Sequence, residues 1–147
     1  MAATTTIYNS LVAYVFDGTI DLMNDTIKVA LVSSAYTPDA EHDEWADASG
    51  SEITGTGYTA GGAALSGKAV SRTGAAAKFT ADSTVFAGLS ATFRRAILYA
   101  AVTRNGKTNP LIAHALIDST PADVTVAGID YAVAWPSTGI LTLQPMV

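Results

Sequence analysis

The chain has 147 residues, 49% of them hydrophobic and 14% charged, and a formal net charge of −5 at pH 7. This length suits a single domain over residues 1–147, and the composition is that of a folded protein rather than a disordered one. Eight basic residues among thirteen acidic ones do not form the Lys/Arg surface that nucleic-acid binding needs. The absence of cysteine excludes disulfides and thiolate metal sites. No apolar window approaches the ~18 residues of a membrane span.

The low charge content predicts that partners cover part of the surface, since a lone cytosolic protein usually carries more charge. Residues 1–6 have neither the basic region nor the apolar core of a secretion signal. We therefore expect a soluble protein that is made in a cytoplasm and works inside a larger assembly, with no membrane, nucleic acid or small-molecule substrate as partner.

The first predicted element is a helix over residues 7–17. Its apolar side chains fall on one stripe, at Ile7, Leu11, Tyr14 and Val15. Thr6 is the expected N-cap, and Gly18 stands where a helix commonly ends. Residues 1–6 are expected to form a flexible arm.

The pattern then changes from helical spacing to alternation. Residues 19–22 alternate as an extended segment does, and residues 26–32 predict a well-buried strand. Thr37 and Pro38 are typical of a helix start, and they predict a short helix over the following residues that carries Trp45.

The second half predicts a succession of short strands, over residues 65–71, 76–80, 84–86, 95–102, 111–117, 131–135 and 140–143. Asn105-Gly106 is the strongest hairpin signal, although Pro110 predicts a loop of more than two residues. Before these strands, the Gly/Ser/Thr-rich residues 49–62 predict a long extended loop. The expected fold is therefore mainly β: a β-sandwich or jelly-roll-like single domain with one N-terminal α-helix and a long Gly-rich loop.

Residues 62–68 come close to a nucleotide-binding motif. Gly62, Gly67 and Lys68 fit G-x-x-x-x-G-K, but the motif then requires Ser or Thr for the magnesium ion, and here Ala69 follows. The strand before and the helix after are also missing from the pattern. We expect a loop that enters a strand, with Lys68 in solvent.

The acidic cluster of residues 39–47 does not match a calcium-binding loop. An EF-hand loop requires glycine at its sixth position, whereas the sixth residue from Asp39 is Glu44. A solvated acidic face is therefore expected, and His42 within it does not by itself indicate zinc. His114 is expected to be a half-exposed strand residue. Because no recognisable catalytic constellation is present, we predict a protein that is not an enzyme and has no cofactor.

Aromatic residues offer one alternative function. A platform for sugars could be formed by Trp45, Tyr58, Tyr99, Tyr131 and Trp135, which would make the protein a carbohydrate-binding module. Strand residues of this type are more often core or interface anchors.

Three stretches together resemble a group of small proteins encoded among the head and structural genes of tailed bacteriophages. They are residues 17–32, 36–39 and 52–62, and residues 135–143 are similar to the last strand of that family. The resemblance covers nearly the whole chain after residue 7. Its motifs are turns and strands, so no catalytic residue is carried over. The resemblance implies a virion component.

Within that family we expect a head decoration or cement protein that binds the major capsid protein and stabilises the shell. An acidic chain is repelled by packaged DNA, which favours the capsid exterior. Self-association into dimers or trimers is expected. A tail, neck or head-fibre protein is the alternative. The expected partner-binding residues are Thr54, Gly55, Thr56, Gly57, Tyr58, Thr59, Arg94 and Arg95.

Overall fold

The structure is a computed structural model that describes residues 4–118, 120 and 122–145. Strands make up 47% of it and helices 8%, so the predicted mainly β class is confirmed. The strands are β1 Thr4–Ile7, β2 Ile27–Val32, β3 Ala63–Ala64, β4 Ala69–Thr73, β5 Ala76–Thr80, β6 Thr84–Phe93, β7 Arg95–Ala100, β8 Thr103–Arg104, β9 Lys107–Thr108, β10 Leu111–Leu116, β11 Val124–Val133 and β12 Leu141–Leu143. The helices are α1 Ser10–Phe16 and α2 Ala46–Ser49.

The strands form four antiparallel groups. The largest is a five-stranded sheet in the order β1-β10-β7-β2-β3, and β6 pairs with β11 in a long ribbon. A three-stranded sheet has the order β12-β5-β4, and β8 and β9 form a hairpin. The five-stranded sheet therefore joins strands from both halves of the chain.

The central strands β2 and β7 bury both of their faces. On one face, Val29 and Leu98 pack in a core that includes Phe86 of β6. On the other face, Ile97 packs in a second core that includes Trp45. Because successive side chains of a strand point to opposite faces, each strand needs apolar residues at every position. That requirement explains why these two runs are so readily predicted.

The N-terminal prediction is wrong at its start. β1 pairs with β10, so α1 begins at Ser10 and Thr6 is a strand residue rather than an N-cap. The β-branched residues of β1 favour this pairing, which gives β10 its second neighbour. The flexible arm predicted over residues 1–6 is thus a strand from Thr4 onward, and residues 1–3 lie outside the described range.

Two segments differ from the predicted secondary structure because acidic side chains accept hydrogen bonds from backbone amides there. The carboxylate of Asp17 accepts the amide hydrogen of Thr19 at 2.9 Å, and residues 19–22 are irregular up to a turn at Leu22 instead of forming a strand. The carboxylate of Asp47 accepts the amide hydrogen of Asp43 at 3.0 Å. Such local hydrogen bonds compete with a helix, so the short helix predicted over residues 40–47 is shifted to α2.

The ribbon of β6 and β11 is longer than the sequence predicts. Each strand has ten residues, whereas the predictions covered only residues 84–86 and 131–135. Gly88 and Gly128 have φ of 60° and 64°, and the register shifts between Val126 and Ile129. Bulges of this kind interrupt the alternation from which a strand is recognised.

The hairpin at Asn105-Gly106 is tighter than predicted. Both residues have positive φ, 53° and 77°, as a two-residue type I′ turn requires. Pro110 lies beyond β9 and forms a bridge with Glu44, so it does not lengthen the turn.

Candidate interaction surfaces

Helix α1 is apolar around most of its circumference. Its sequence SLVAYVF has no charged residue. Leu11 is buried, and Tyr14 and Val15 pack against the core. Val12 and Phe16 lie outside this stripe and are 40% and 86% exposed. A helix that is apolar all round is normally covered on every side, so the outer side of α1 indicates a contact with another molecule.

An apolar groove of about 130 Å³ lies beside α1, along strands β4, β5 and β12. Buried side chains of Leu11, Phe79 and Leu141 contribute to it. Five of the eight exposed large apolar side chains in the described part of the chain also line it, and we call these five the apolar patch: Ile7, Val12, Phe16, Val70 and Leu143. Their concentration on one groove distinguishes them from the scattered apolar residues of an ordinary surface.

The charges around the groove are few and differ in sign. Lys78 is the one charged residue among those that line it, and its Nζ donates to the carbonyl oxygen of Ser137 at 2.9 Å. Arg72 lies two residues after Val70 on β4, and therefore on the same face of that strand. Asp17 directly follows Phe16 and is exposed. The groove thus has basic residues on its strand side and an acidic residue at the end of α1.

A second candidate surface is the outer edge of β11. On its inner side β11 pairs with β6, and the far edge of β6 is covered where the Ser90 amide donates to the Thr56 carbonyl at 2.9 Å. In the described part of the chain no further strand pairs with β11. Its only charged residue is Asp130. An edge of ten residues with one charge can accept a strand from another protein.

The predicted contact loop lies along the body instead of extending from it. The first close approach is at Gly55, where a Cβ would lie 2.3 Å from the carbonyl oxygen of Ser90. The second is at Gly57, where a Cβ would lie 2.5 Å from that of Ala87. Glycine is thus required there for packing on β6. Of the contact residues predicted in this loop, those that remain exposed are Thr54, Gly55, Thr56, Gly57 and Thr59.

Tyr58 of the same loop points inward. Its hydroxyl donates to Oε1 of Glu52 at 2.7 Å and accepts the amide hydrogen of Leu31 at 3.1 Å. Its ring stacks on Phe86 with 5.8 Å between centroids. Burial, followed by the hydrogen bond to Glu52, raises the pKa of Tyr58. The hydroxyl of Tyr58 therefore holds the loop to the sheet, and the partner contact expected of Tyr58 remains a prediction.

The two adjacent arginines have different surroundings. Nε of Arg94 pairs with Oδ1 of Asp123 at 3.0 Å, and both side chains are partly exposed. Arg95 begins β7, and its Nε is buried without a hydrogen-bond partner among the described residues. Of the two, Arg94 is the better placed for the rim contact that the sequence predicts, and that role remains a prediction.

The sugar platform proposed from the sequence does not form. Trp45 is buried and stacks on Tyr99 with ring centroids 5.0 Å apart. Tyr131 packs edge-on against Phe93 at 5.1 Å, and Trp135 packs against the same core. A sugar ring stacks its C–H groups on an exposed aromatic face, and these rings contact one another or the core instead.

The other polar candidates have structural surroundings. Nζ of Lys68 donates to the carbonyl oxygen of Asp25 at 2.5 Å, so the expectation that Lys68 is solvated is wrong. Oε1 of Glu44 accepts from the Thr108 amide at 2.9 Å, which joins the acidic segment to β9. Within residues 4–118, 120 and 122–145, no group of three or more His, Asp or Glu side chains could hold a metal ion.

Comparison of the chain with protein-family models, with curated proteins and with solved structures finds no match. No helix in the described ranges combines the length and the apolar run that crossing a bilayer requires. The physical features of the surface therefore carry the functional argument. The sequence pattern does not predict the apolar patch, because the helical stripe of Ile7, Leu11, Tyr14 and Val15 leaves Val12 and Phe16 without an assigned contact. The available signal was the lack of any charged residue from Ser10 to Phe16.

Proposed function

We propose that this protein is a structural component of a tailed-phage particle that binds the outer capsid surface as a cement or decoration protein and stabilises the shell. The observation that supports this most directly is the apolar patch. A large apolar cluster on one side of a small domain is typical of a surface that another protein covers. The resemblance of residues 17–32, 36–39, 52–62 and 135–143 to small phage structural proteins supports a phage particle as the assembly.

The physical basis of such a function is preferential binding to the assembled shell. A protein that binds the shell but not its separated subunits stabilises the shell by about 2.7 kcal/mol per site at a free concentration 100 times Kd. The effect is repeated at every equivalent site. The net charge of −5 favours the exterior, since packaged DNA repels an acidic surface.

The open edge of β11 gives a cement protein a second means of contact. A strand or extended arm of a capsid subunit that pairs with this edge would form backbone hydrogen bonds along it. The exposed part of the 49–62 loop lies beyond β6, on the other side of the same ribbon. The ribbon therefore offers a contact that is separate from the apolar patch, and two separate contact surfaces allow the protein to take part in an assembly of several chains.

The test uses particles of a phage whose genome encodes this chain, with the gene deleted and the purified protein added back. We expect electron microscopy to place the added protein at repeated positions on the shell exterior. We also expect the shell to disassemble at a higher temperature when the protein is present. A label confined to the tail or neck would contradict the cement function and favour the alternative virion component. Failure to bind any part of the particle would overturn both.

A further inference from the structure

We infer that a second copy of this chain covers the groove, and that Phe16 of each copy inserts into the groove of the other in a two-fold symmetric dimer. The inference rests on the proposed function, because it names the partner of the same apolar patch. It assigns that patch to self-association and leaves the ribbon of β6 and β11 for the capsid.

The first argument is the match in size between the groove and a phenyl ring. The groove measures about 130 Å³, and an apolar cavity of ~150 Å³ in another protein takes up benzene. Phe16 is 86% exposed, which leaves nearly its whole ring to be buried by a partner. No other exposed large apolar side chain in the described residues reaches that fraction; the next is Leu143 at 57%.

The second argument is the position of the projecting ring relative to the groove. A two-fold contact uses the same surface of both copies, so that surface must contain both parts of each interaction. Phe16 is itself one of the residues that line the groove. Because it is so exposed, it does not fill the groove of its own chain. A two-fold symmetric contact requires a projecting ring and a groove on the same face of each copy, and this face has both.

The third argument is charge complementarity. Insertion of Phe16 carries the adjacent Asp17 toward the strand side of the other groove, where Lys78 and Arg72 lie. Two-fold symmetry repeats the attraction at the other end of the interface. No carboxylate is among the residues that line the groove. Two acidic chains can therefore meet on this face without opposing like charges at its centre.

The experiment measures the mass of the full-length protein by sedimentation velocity over a range of concentrations. The wild-type protein is expected to be a dimer. Phe16→Asp should raise the dimer dissociation constant by roughly a hundredfold or more, since two buried phenyl rings are lost per dimer. Val85→Asp is the matched control, because Val85 is also exposed, at 54%, but lies on β6 away from the groove. Circular dichroism should show both variants folded.

Cross-linking identifies the contact directly, because the chain has no cysteine of its own. A mixture of Phe16→Cys and Leu143→Cys should form a disulfide-linked dimer under mild oxidation, whereas Phe16→Cys with Val85→Cys should not. A wild-type protein that stays monomeric at every concentration overturns the inference, and so does a dimer that Phe16→Asp leaves intact.

The outcome is separable from that of the proposed function. A monomer that still binds capsids, and loses that binding in Phe16→Asp, would retain the cement function and assign the groove to the capsid protein. A Phe16-dependent dimer that binds no part of the particle would support the inference and overturn the proposed function.

Discussion

Contact between the 49–62 loop and β6 depends on the missing side chain of Gly55. Its φ is not in the left-handed region, so space alone excludes a Cβ there, 2.3 Å from the Ser90 carbonyl oxygen and 3.3 Å from Cβ of Ala91. We predict that Gly55→Ala lowers the free energy of unfolding by about 1–3 kcal/mol, as overpacking does. Urea denaturation measures the change.

Gly50 provides the matched control for that substitution. It has a φ of −63°, and a Cβ there would meet nothing within 4 Å. Gly50→Ala should leave stability unchanged or raise it by up to ~1 kcal/mol, because alanine restricts the unfolded chain. If Gly55→Ala and Gly50→Ala had equal stabilities, the loop could move away from β6 at no cost in free energy, which would contradict close packing at Gly55.

His114 makes stability depend on pH. It lies on β10 against the edge of Tyr8, with 5.3 Å between ring centroids, and burial, followed by the charge of Arg95, lowers its pKa to about 4. The unfolded chain, with the ordinary pKa of 6.5, binds more protons between these values. The contribution of neutral His114 is thus complete above pH 6.5 and is lost as pH falls toward 4, by roughly 1–3 kcal/mol.

His114→Gln isolates this contribution, because glutamine does not titrate. We expect the wild-type protein to lose more stability than the variant between pH 7 and pH 4.5, measured by urea denaturation at both values. Carboxylates whose pKa is lowered, such as Asp25 and Asp43, contribute equally to both proteins. Identical losses would show that His114 is solvated.

Among the elements, the β8–β9 hairpin is fixed to the turn after α1 by a bidentate ion pair. The two terminal nitrogens of Arg104 donate to Asp25 at 2.9 and 3.1 Å, and the Asp25 side chain is 8% exposed. Burial opposes ionisation of Asp25, but hydrogen bonds from Arg104 and the Asp21 amide outweigh it, and the pKa of Asp25 is lowered. The carboxylate is therefore charged and depends on its partner.

We predict that Arg104→Met lowers the free energy of unfolding. The cost reflects a buried carboxylate left without its counterion, reduced because Arg104 is itself partly exposed. A double-mutant cycle with Asp25→Asn, followed by thermal denaturation, measures the coupling. If the two single losses simply add in the double variant, the pair is not coupled and the prediction fails.

Tyr58 connects the Gly-rich loop to β2. Tyr58→Phe keeps the ring on Phe86 but removes the hydroxyl that binds Glu52 and the Leu31 amide. The expected loss is about 1–2 kcal/mol, with faster hydrogen exchange at Leu31. Exchange in the β1–β10 pair, at the other end of the sheet, should change only as much as global stability does. Unchanged protection of the Leu31 amide would contradict the assigned bond.

For the molecule as a whole, the predictable parts of the fold are those that local patterns define. The predicted bounds of β2, β7 and β10 agree closely with the structure, because a strand that is buried on both faces needs a continuous run of apolar residues. The sequence does not predict β1: residues 4–6 fall in the predicted flexible arm and Ile7 in the predicted helix, because the partner strand β10 is more than a hundred residues away in the chain. The full extent of β11 was missed because its polar residues and Gly128 hide the alternation.

The candidate interaction surface is likewise predictable from the sequence only in part. Low charge predicted that partners cover the surface, but composition does not locate the covered region. The importance of Phe16 depends on the packing of β4, β5 and β12 beside α1. A groove formed by strands that are distant in the chain has no local sequence signal. Conversely, the glycines of the 49–62 loop predicted a partner contact, but Gly55 and Gly57 are needed for packing against β6 of the same chain.

The strand order also has a consequence for the timing of folding. Strand β2 cannot pair until β7 is made, and β6 cannot pair until β11 is made. Each pairing closes a long loop before it forms any contact, and folds of this kind take milliseconds to seconds to form. A ribosome adds ~5–20 residues per second, so β6 is made seconds before β11. Until then, the apolar strands of the future cores are exposed together in one nascent chain. The yield of folded protein therefore depends on how well the cell protects these unfinished chains from one another.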